Sequence, residues 1–444
     1  MSLHRHPLRL AAVLFATLMI CHQARAQERL LRDTEIETDI KTMAAPIWRA
    51  AGLDPGDVRI YMIDDREINS FVAGGQAIFL NTGLLERVQN ANQLIGVIAH
   101  ETGHIAGGHI LRTKEALRNA SIEAIIATVL GAAAGVAGHN GAAILGGMGV
   151  GERSFLRFSI AQEATADHAA MNYLDRTCQS ARGLLDFFEI LQDDQRLSGD
   201  TDDPWARTHP LTSERIDYVR DHVQNARCSN APSPPGDDAL LRRIQMKLHA
   251  FLDDPSITLG RYPESDKSEN ARYARAIALY RIPQLDKAQQ AVDGLIHDYP
   301  KNPYFQELKG QMLFENGNVR EAVAPYQEAV RLDPSAALLR ISLAQVYIET
   351  HDPALNKRAI GELNAALQTE SRDNTVWRFL AIAYGRDHQI GMAALCMAEE
   401  ALANGKKKEA AQQALRAKQL LPHNTASYAR AVQIGTEAER TDDD

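Results

Sequence analysis

The spacing of apolar residues in the first half of the chain predicts several helices and a few short strands. Apolar residues recur at helical intervals through 28–51, which predicts a helix there. Residues 58–63 and 77–80 are apolar or alternating, as in short strands, and Gly74-Gly75 lies where a hairpin turn would lead into the second strand. The apolar run 94–99 and the residues after it predict a helix that is buried on nearly all sides.

The second half of the chain repeats with the 34-residue period of tetratricopeptide repeats. Pro300 and Pro334 lie 34 residues apart, and small and aromatic residues stand between them where two helices of a repeat touch, at Gly310, Gly317, Ala322, Tyr326 and Ala329. A later copy has extra residues before Leu363. Such repeats stack into an all-α solenoid with a groove for peptides or proteins, so this half is expected to bind and not to catalyse.

Composition marks the boundaries of these parts. The N-terminus has the basic start, the apolar middle and the Ala24-Arg25-Ala26 cleavage site of a secretory signal peptide. A proline-rich stretch ahead of the repeats predicts a linker. The predicted parts are the signal peptide at 1–26, a first domain at 27–230, the linker at 231–238, the repeats at 239–424 and a polar tail at 425–444.

Residues 124–151 are uncharged and rich in glycine. Neither of their apolar parts reaches the ~20 residues that cross a bilayer. A mobile flap over a cleft is the favoured interpretation, with peripheral membrane contact through the same residues. A packed core segment and a true membrane span are the alternatives.

Net charge and cysteine count limit which classes of function are expected for this protein. The chain carries a net charge of −9, and removal of a signal peptide with three arginines and no acidic residue gives −9 − 3 = −12. An acidic exported protein is not expected to bind nucleic acid. Cys178, Cys228 and Cys396 remain after cleavage, and a disulfide between Cys178 and Cys228 is expected because both precede the linker.

One pentapeptide on the predicted buried helix carries candidate metal chemistry. His100 and His104 stand four residues apart, so both imidazoles lie on one helix face and can bind the same Zn²⁺. Glu101 is then free to accept a proton from a water molecule that the metal acidifies. The neighbouring residues are apolar, and polar side chains buried among them need a partner. A metal ion could bind both imidazoles and place a water molecule beside Glu101, so it provides a partner for all three side chains.

The third metal ligand follows one of two designs. A third histidine three residues after Gly107 would fall at Ile110, and His109, one residue earlier, faces away from the motif. The alternative is a carboxylate from a second helix, where Glu163 and Asp167 share one face. Glu163 is the expected ligand, and Asp167 is expected to accept the ring N–H of a ligating histidine. The adjacent His168 is expected to be structural.

His209 is expected on a loop ahead of a helix at 214–223, because Pro210 disfavours a helical backbone at residue 209. Besides an ordinary loop histidine, two functions are open. His209 can stabilise the oxyanion of the tetrahedral intermediate together with Arg215. Alternatively, it can bind zinc as a fourth ligand, displace the water and keep the enzyme latent.

These motifs together resemble the gluzincin peptidases of the HtpX and CAAX-prenyl-protease type. The resemblance covers about residues 35–225 and rests on separated motifs in the family's order, at 69–80, 82–85, 100–104, 163–167 and 208–215. It implies an α+β, mostly α fold, with a zincin-type metallopeptidase domain and a small β-sheet, followed here by the all-α repeats. It also implies one zinc ion per chain and favours the latent interpretation of His209. The substrate backbone is expected to add to the strand of Gln76, Ala77, Ile78, Phe79 and Leu80.

The resemblance and the signal peptide imply a periplasmic zinc endopeptidase that hydrolyses misfolded or misassembled envelope proteins, chiefly those of the outer membrane. The repeats are expected to dock such clients or the outer-membrane assembly machinery. Two alternatives remain open: a chaperone or adaptor with a normally latent protease, and a zinc-dependent hydrolase of non-peptide substrates. The complete set of Glu101 and three ligands argues against a dead enzyme.

Overall fold

The computed structural model describes residues 29–109, 150–198, 205, 209–282, 284–371 and 373–439. The predicted signal peptide at 1–26 and nearly all of the predicted flap at 124–151 lie outside these ranges. None of the described helices combines the length and the hydropathy that crossing a bilayer requires. The described chain confirms the α+β, mostly α class, because a small sheet with helices precedes a long series of helix pairs.

Four short strands near the N-terminus form one sheet: β1 (Arg29–Leu31), β2 (Arg59–Asp64), β3 (Ser70–Ala73) and β4 (Ala77–Asn81). Their order is β1-β2-β4-β3, with β2 parallel and β3 antiparallel to β4. The predicted hairpin turn is confirmed, since Gly74 and Gly75 have φ values of 60° and 103°, which glycine adopts without steric cost. Residues 29–31, assigned to a helix by their spacing, pair with β2 instead.

Six helices share one apolar core with one face of the sheet: α1 (Thr34–Ala50), α2 (Thr82–Arg87), α3 (Ala91–Ala106), α4 (Val150–Thr177), α5 (Arg182–Ser198) and α6 (Ser213–Asn225). Helix α3 lies at the centre of this core and is buried from Leu94 to Ile105. The side chain of Asn90 caps its first turn by accepting from the backbone N–H of Gln93. Any polar side chain on α3 therefore needs a partner inside the protein.

In the described part of the second half, all regular elements are helices. Helices α7 (Asp237–Leu252) and α8 (Pro255–Arg261) precede five helix pairs: α9 (Glu269–Arg281) with α10 (Leu285–Asp298), α11 (Pro303–Glu315) with α12 (Val319–Leu332), α13 (Ala337–Glu349) with α14 (Pro353–Ala366), α15 (Asn374–Arg386) with α16 (Ile390–Ala403), and α17 (Lys407–Leu420) with α18 (Ala426–Glu439). The starts of α9, α11 and α13 are 34 residues apart, which confirms the predicted period.

Two details of the repeats differ from the prediction. The extra residues of the third copy lie after Leu363, in the loop 367–373, because α13 and α14 keep the spacing of the earlier pairs. Residues 426–439 of the predicted polar tail form α18, in which Ala431 and Ile434 are fully buried against the last repeat. Two apolar residues three apart are enough to give this polar segment a buried helical side.

The predicted linker does not separate the two halves. Helix α7 begins inside it, at Asp237, and contributes apolar residues to the core around α3 (Leu241, Ile244, Leu248) and to the core of the first repeat (Met246, Ala250). Arg32, ahead of α1, forms ion pairs with Glu370 and Asp373 at 3.1 and 3.2 Å. The repeats are thus anchored to the first half both at α7 and through the loop 367–373.

Candidate metal centre

Helix α3 presents three polar side chains to the interior of the protein. His100 and Glu101 have no exposed surface, and His104 is 8% exposed. The Nε2 atoms of the two histidines lie 3.1 Å apart. The motif therefore directs two ring nitrogens to one buried point, as its spacing predicts.

A close contact between α3 and α4 brings a carboxylate to the same point. Gly103 permits this contact, because a Cβ at that position would lie 2.7 Å from the carbonyl oxygen of Ala166. The two carboxylate oxygens of Glu163 lie 3.3 Å from Nε2 of His100 and 3.2 Å from Nε2 of His104. The structure thus brings the predicted third ligand, from a second helix, to the histidine pair.

A histidine from outside the helices completes the group. Nδ1 of His209 lies 3.1 Å from Oε2 of Glu163 and 3.4 Å from Nε2 of His100. Its ring is buried and lies 4.7 Å from the ring of Trp205, whose carbonyl oxygen accepts the backbone N–H of His209 at 2.6 Å. Sequence reasoning missed Trp205, because a lone tryptophan in a polar stretch matches no motif.

Hydrogen bonds on the far sides of the rings determine which nitrogens carry lone pairs. Nδ1 of His100 lies 2.9 Å from Oδ1 of Asp167, and Nε2 of His209 lies 3.0 Å from the carbonyl oxygen of Ser70. A carboxylate and a carbonyl only accept, so both of these nitrogens donate. In the neutral rings, Nε2 of His100 and Nδ1 of His209 then carry lone pairs that face the Glu163 carboxylate. Acceptors that converge in this way can be satisfied by a bound metal ion or by protons on the rings.

The four groups fit a tetrahedral metal ion. The ligand atoms of His100, His104, Glu163 and His209 all lie within 4.8 Å of one another. An ion with bonds of about 2.0 Å, as for zinc, places tetrahedral ligand atoms roughly 3.3 Å apart. Five of the six pairs among these groups are 3.1–3.4 Å apart, and the sixth, His104 with His209, lies within 4.8 Å. His109 is not among these four residues. It follows the end of α3, and its ring lies 5.2 Å from that of His104, so it does not face away from the motif as expected.

The electrostatics of the site favour a positive charge at its centre. Burial disfavours ionisation of Glu163, but the adjacent His209, His100 and His104 outweigh it and hold the pKa of Glu163 far below its usual range. Burial also disfavours protonation of His100, yet hydrogen bonds to Asp167 and Glu163 raise the pKa of His100 to about 9. Two buried carboxylates thus stabilise a cation at this point, a role that a bound metal ion fulfils.

Arg215 supports the site. Its Nε and Nη2 donate to Asp167 at 2.6 and 2.9 Å, and its Nη1 donates to the carbonyl oxygen of Pro210 at 2.9 Å and lies 3.0 Å from Glu163. These contacts direct most of the guanidinium toward Asp167, Glu163 and the backbone, so in the described conformation Arg215 supports the carboxylates of the site. Burial opposes ionisation of Asp167, but hydrogen bonds from Arg215 and His100 lower its pKa. Asp167 lies in hydrogen-bonding contact with Nδ1 of His100, the position from which a carboxylate can orient that ring.

Within the described ranges, the sheet edge that lies near these residues and pairs with no further strand belongs to β3. β4 pairs with β2 on one side and with β3 on the other, so the predicted substrate strand of Gln76 to Leu80 has no free backbone edge, and that prediction is wrong. The apolar run of β4 is typical of an internal strand as much as of a substrate-binding one. The backbone N–H of Asn81 donates to Asn69, and bonded residues alternate along an antiparallel pair. Ser70 and Val72 therefore direct their backbone groups outward.

Ser70 also contacts the expected catalytic base. Its hydroxyl donates to Oε1 of Glu101 at 2.5 Å, and neither residue is exposed. Oε2 of Glu101 is buried and has no hydrogen-bond partner in the described part of the chain. Sequence reasoning missed this contact, because Ser70 belongs to the 69–80 motif but matches no catalytic spacing.

The remaining predicted features lie around the site. Cys178 and Cys228 form the predicted disulfide, while Cys396 is free and buried. The disulfide joins the chain after α4 to the chain after α6, which holds together the helices that carry Asp167 and Arg215. His168 is exposed, and its ring lies 4.0 Å from that of Tyr218, as suits a structural residue.

Known proteins are similar to this chain in both halves. Residues 30–223 match the model of peptidase family M48, and residues 273–337 match that of a tetratricopeptide repeat. The beta-barrel assembly-enhancing protease of Yersinia pestis is 23% identical over 392 residues, which cover 85% of this chain and 78% of that protein. The protein of the same name from Escherichia coli strain K12 is 23% identical over 372 residues, which cover 81% of this chain and 74% of that protein. The metalloprotease YcaL of that strain is 28% identical over 175 residues, covering 39% and 64%.

Proposed function

Because the chain is a metalloendopeptidase with a peptidase family M48 domain and tetratricopeptide repeats, we propose that it hydrolyses misfolded or misassembled outer-membrane proteins in the periplasm with one zinc ion. The convergence of His100, His104 and Glu163 on one buried point carries the enzymatic part of this proposal. The names of the similar beta-barrel assembly-enhancing proteases support the substrate class. The signal-like sequence of residues 1–26 supports export.

The residues of α3 and α4 divide the chemistry between them. His100, His104 and Glu163 would hold the zinc ion, and Glu101 stays free to carry a proton. Zinc supplies Lewis acidity, which polarises the scissile carbonyl and lowers the pKa of water from 15.7 to roughly 7. Glu101 accepts a proton from the water molecule while the water oxygen attacks the carbonyl carbon. It then delivers that proton to the amine nitrogen as the C–N bond breaks.

The edge of β3 is the surface on which an extended substrate can lie. The outward backbone groups of Ser70 and Val72 are arranged to pair with a substrate main chain, as in other cases of strand addition. Ser70 also contacts Glu101, so this edge passes directly beside the proposed base. Pairing through the main chain depends little on the side chains of the substrate, which suits a protease that acts on many unfolded proteins.

His209 closes the site in two ways. Its Nδ1 lies where it would serve as a fourth ligand and take the place that a metal-bound water needs for activation. Its Nε2 donates to the carbonyl oxygen of Ser70, which a substrate strand would otherwise use. The described conformation therefore supports a latent enzyme that is activated when His209 moves away.

Replacing His209 by alanine is expected to raise the rate of cleavage of an unfolded protein such as reduced casein at least about tenfold, because both obstacles disappear. The initial rate of peptide-bond cleavage at equal metal content measures this effect. His168→Ala serves as the matched control, since that histidine is exposed and its ring lies against that of Tyr218. If His209→Ala retains its metal but loses proteolysis outright, latency is the wrong account and a role in stabilising the oxyanion takes its place.

The closed site also favours a second candidate function. A chaperone or adaptor for outer-membrane protein assembly could use the repeats to dock clients or the assembly machinery while its protease stays latent. Cells that carry Glu101→Gln distinguish the two candidates. Unchanged amounts of assembled outer-membrane proteins and of uncleaved clients would favour the adaptor, whereas accumulation of uncleaved clients would favour the protease.

A further inference from the structure

One hydroxyl group is placed to control the orientation of the base. The hydroxyl of Ser70 donates a hydrogen bond to Oε1 of Glu101, and the two oxygens lie 2.5 Å apart. This distance is typical of a hydroxyl bonded to a carboxylate. The two residues come from different elements, the edge strand β3 and the helix α3, and have no exposed surface. The hydroxyl holds one oxygen of Glu101, and the other, Oε2, has no partner in the described ranges.

A carboxylate without such a contact would not stay in one orientation. The terminal torsion of a glutamate side chain has a broad, roughly two-fold preference, so its two oxygens exchange readily. A hydrogen bond to Oε1 fixes that torsion and leaves Oε2 to carry the proton. Proton transfer depends on this alignment, because donor and acceptor must come within hydrogen-bonding reach in the transition state.

The backbone of the same residue faces the path of the substrate. The carbonyl oxygen of Ser70 points away from β4 and accepts from Nε2 of His209 in the described conformation. When His209 leaves, this carbonyl becomes an acceptor for a substrate N–H at the edge of β3. Ser70 therefore fixes the base with its side chain and the substrate with its main chain.

We propose that Ser70 is a positioning residue for peptide hydrolysis, which holds Glu101 with its hydroxyl and sets the substrate register with its carbonyl. This inference rests on the proposed protease function. It predicts a division between the kinetic constants, because Ser70→Ala removes the hydroxyl but keeps the carbonyl. We expect kcat to fall about tenfold and KM to change less than twofold, the behaviour of an interaction made only in the transition state.

The experiment uses the zinc-loaded full chain with His209→Ala as the parent, so that the latch does not limit turnover. Ser70→Ala and Ser70→Thr are compared with Thr82→Ala, which removes another buried hydroxyl, bonded to the carbonyl of Asp65 and not to Glu101. Casein cleavage gives kcat and KM, and crystal structures of the parent and of Ser70→Ala give the position of the Glu101 carboxylate. We expect Ser70→Thr to recover kcat to within threefold and Thr82→Ala to keep it.

The two readouts separate the failure of this inference from that of the proposed function. If neither the unchanged chain nor the His209→Ala parent cleaves casein, the proposed function fails, and the crystal structures alone decide the role of Ser70. An ordered Glu101 in the parent that spreads over two orientations in Ser70→Ala supports the positioning role. A kcat within twofold of the parent, or a carboxylate that stays ordered in the same place without the hydroxyl, overturns it.

Discussion

Glu101→Gln is expected to lower kcat for peptide hydrolysis about a thousandfold or more and to leave the metal content unchanged. Glutamine has the shape of glutamate but cannot take up a proton, and general base catalysis contributes roughly 10²–10⁴ in rate. Glu101 is on α3 beside His100 but is not among the four groups whose ligand atoms converge, so metal binding should survive. Cleavage of reduced casein by the latch-free His209→Ala enzyme, with metal per chain determined in parallel, measures both quantities.

A matched substitution distinguishes loss of the base from a general effect of removing a carboxylate. Glu214 is an exposed glutamate in the first turn of α6, and Glu214→Gln should keep kcat within twofold. Residual activity of Glu101→Gln within tenfold of its parent would be incompatible with Glu101 as the base. Loss of metal from the same variant would show instead that Glu101 acts in metal binding.

Arg215→Met is expected to destabilise the first half of the protein by about 3–5 kcal/mol, because it leaves buried carboxylates without their counter-ion. The guanidinium is buried, lies 2.6 Å from Asp167 and 3.0 Å from Glu163, and links α6 to α4. A loss of this size lowers the melting temperature of a domain of about 200 residues by roughly 10 °C. Differential scanning calorimetry of the full chain at fixed zinc concentration measures the shift.

The control for this prediction lies on the same helix. Arg220 is 40% exposed and pairs with Asp217 and Glu189, and exposed ion pairs contribute only about 0–1 kcal/mol. Arg220→Met should therefore shift the transition by at most about 2 °C. Asp167→Asn combined with Arg215→Met should be less harmful than the sum of the single changes, since the double change removes the unpaired charge as well as its partner. A transition of Arg215→Met within 1 °C of the unchanged protein would contradict the buried ion pair.

Much of the site could be predicted because its residues follow the geometry of helices. Two histidines four residues apart must share a helix face, and Glu163 and Asp167 share theirs in the same way. The pairing of the two helices required a family resemblance. The 34-residue period likewise located the repeats, because stacked helix pairs place small residues at fixed intervals.

The features that the sequence could not place depend on contacts between residues distant in sequence. The sequence of Gln76 to Leu80 correctly predicts a strand. The side-chain pattern does not indicate which strands pair with it, so the free edge was assigned to β4 and not to β3. Arg215 stood in a suitable motif for an oxyanion contact, yet its partner is Asp167, 48 residues away. The contact of Ser70 with Glu101 likewise joins two elements 31 residues apart, and no local pattern reveals it.

The boundary between the two halves illustrates the same limit. Prolines at 232, 234 and 235 correctly predicted an irregular segment, which continues directly into α7. Only the packing shows that α7 belongs to both cores and that Arg32 reaches the loop 367–373. Composition alone therefore suggested a freer connection than the contacts allow.

The most direct test is the zinc content of the purified full-length chain beside that of Glu163→Ala, by elemental analysis after dialysis. The account predicts one zinc ion per chain in the unchanged protein and less than about a tenth of that in the variant, because His100, His104 and Glu163 converge on one buried point. An unchanged protein without metal, or a variant that retains a full equivalent, would contradict it.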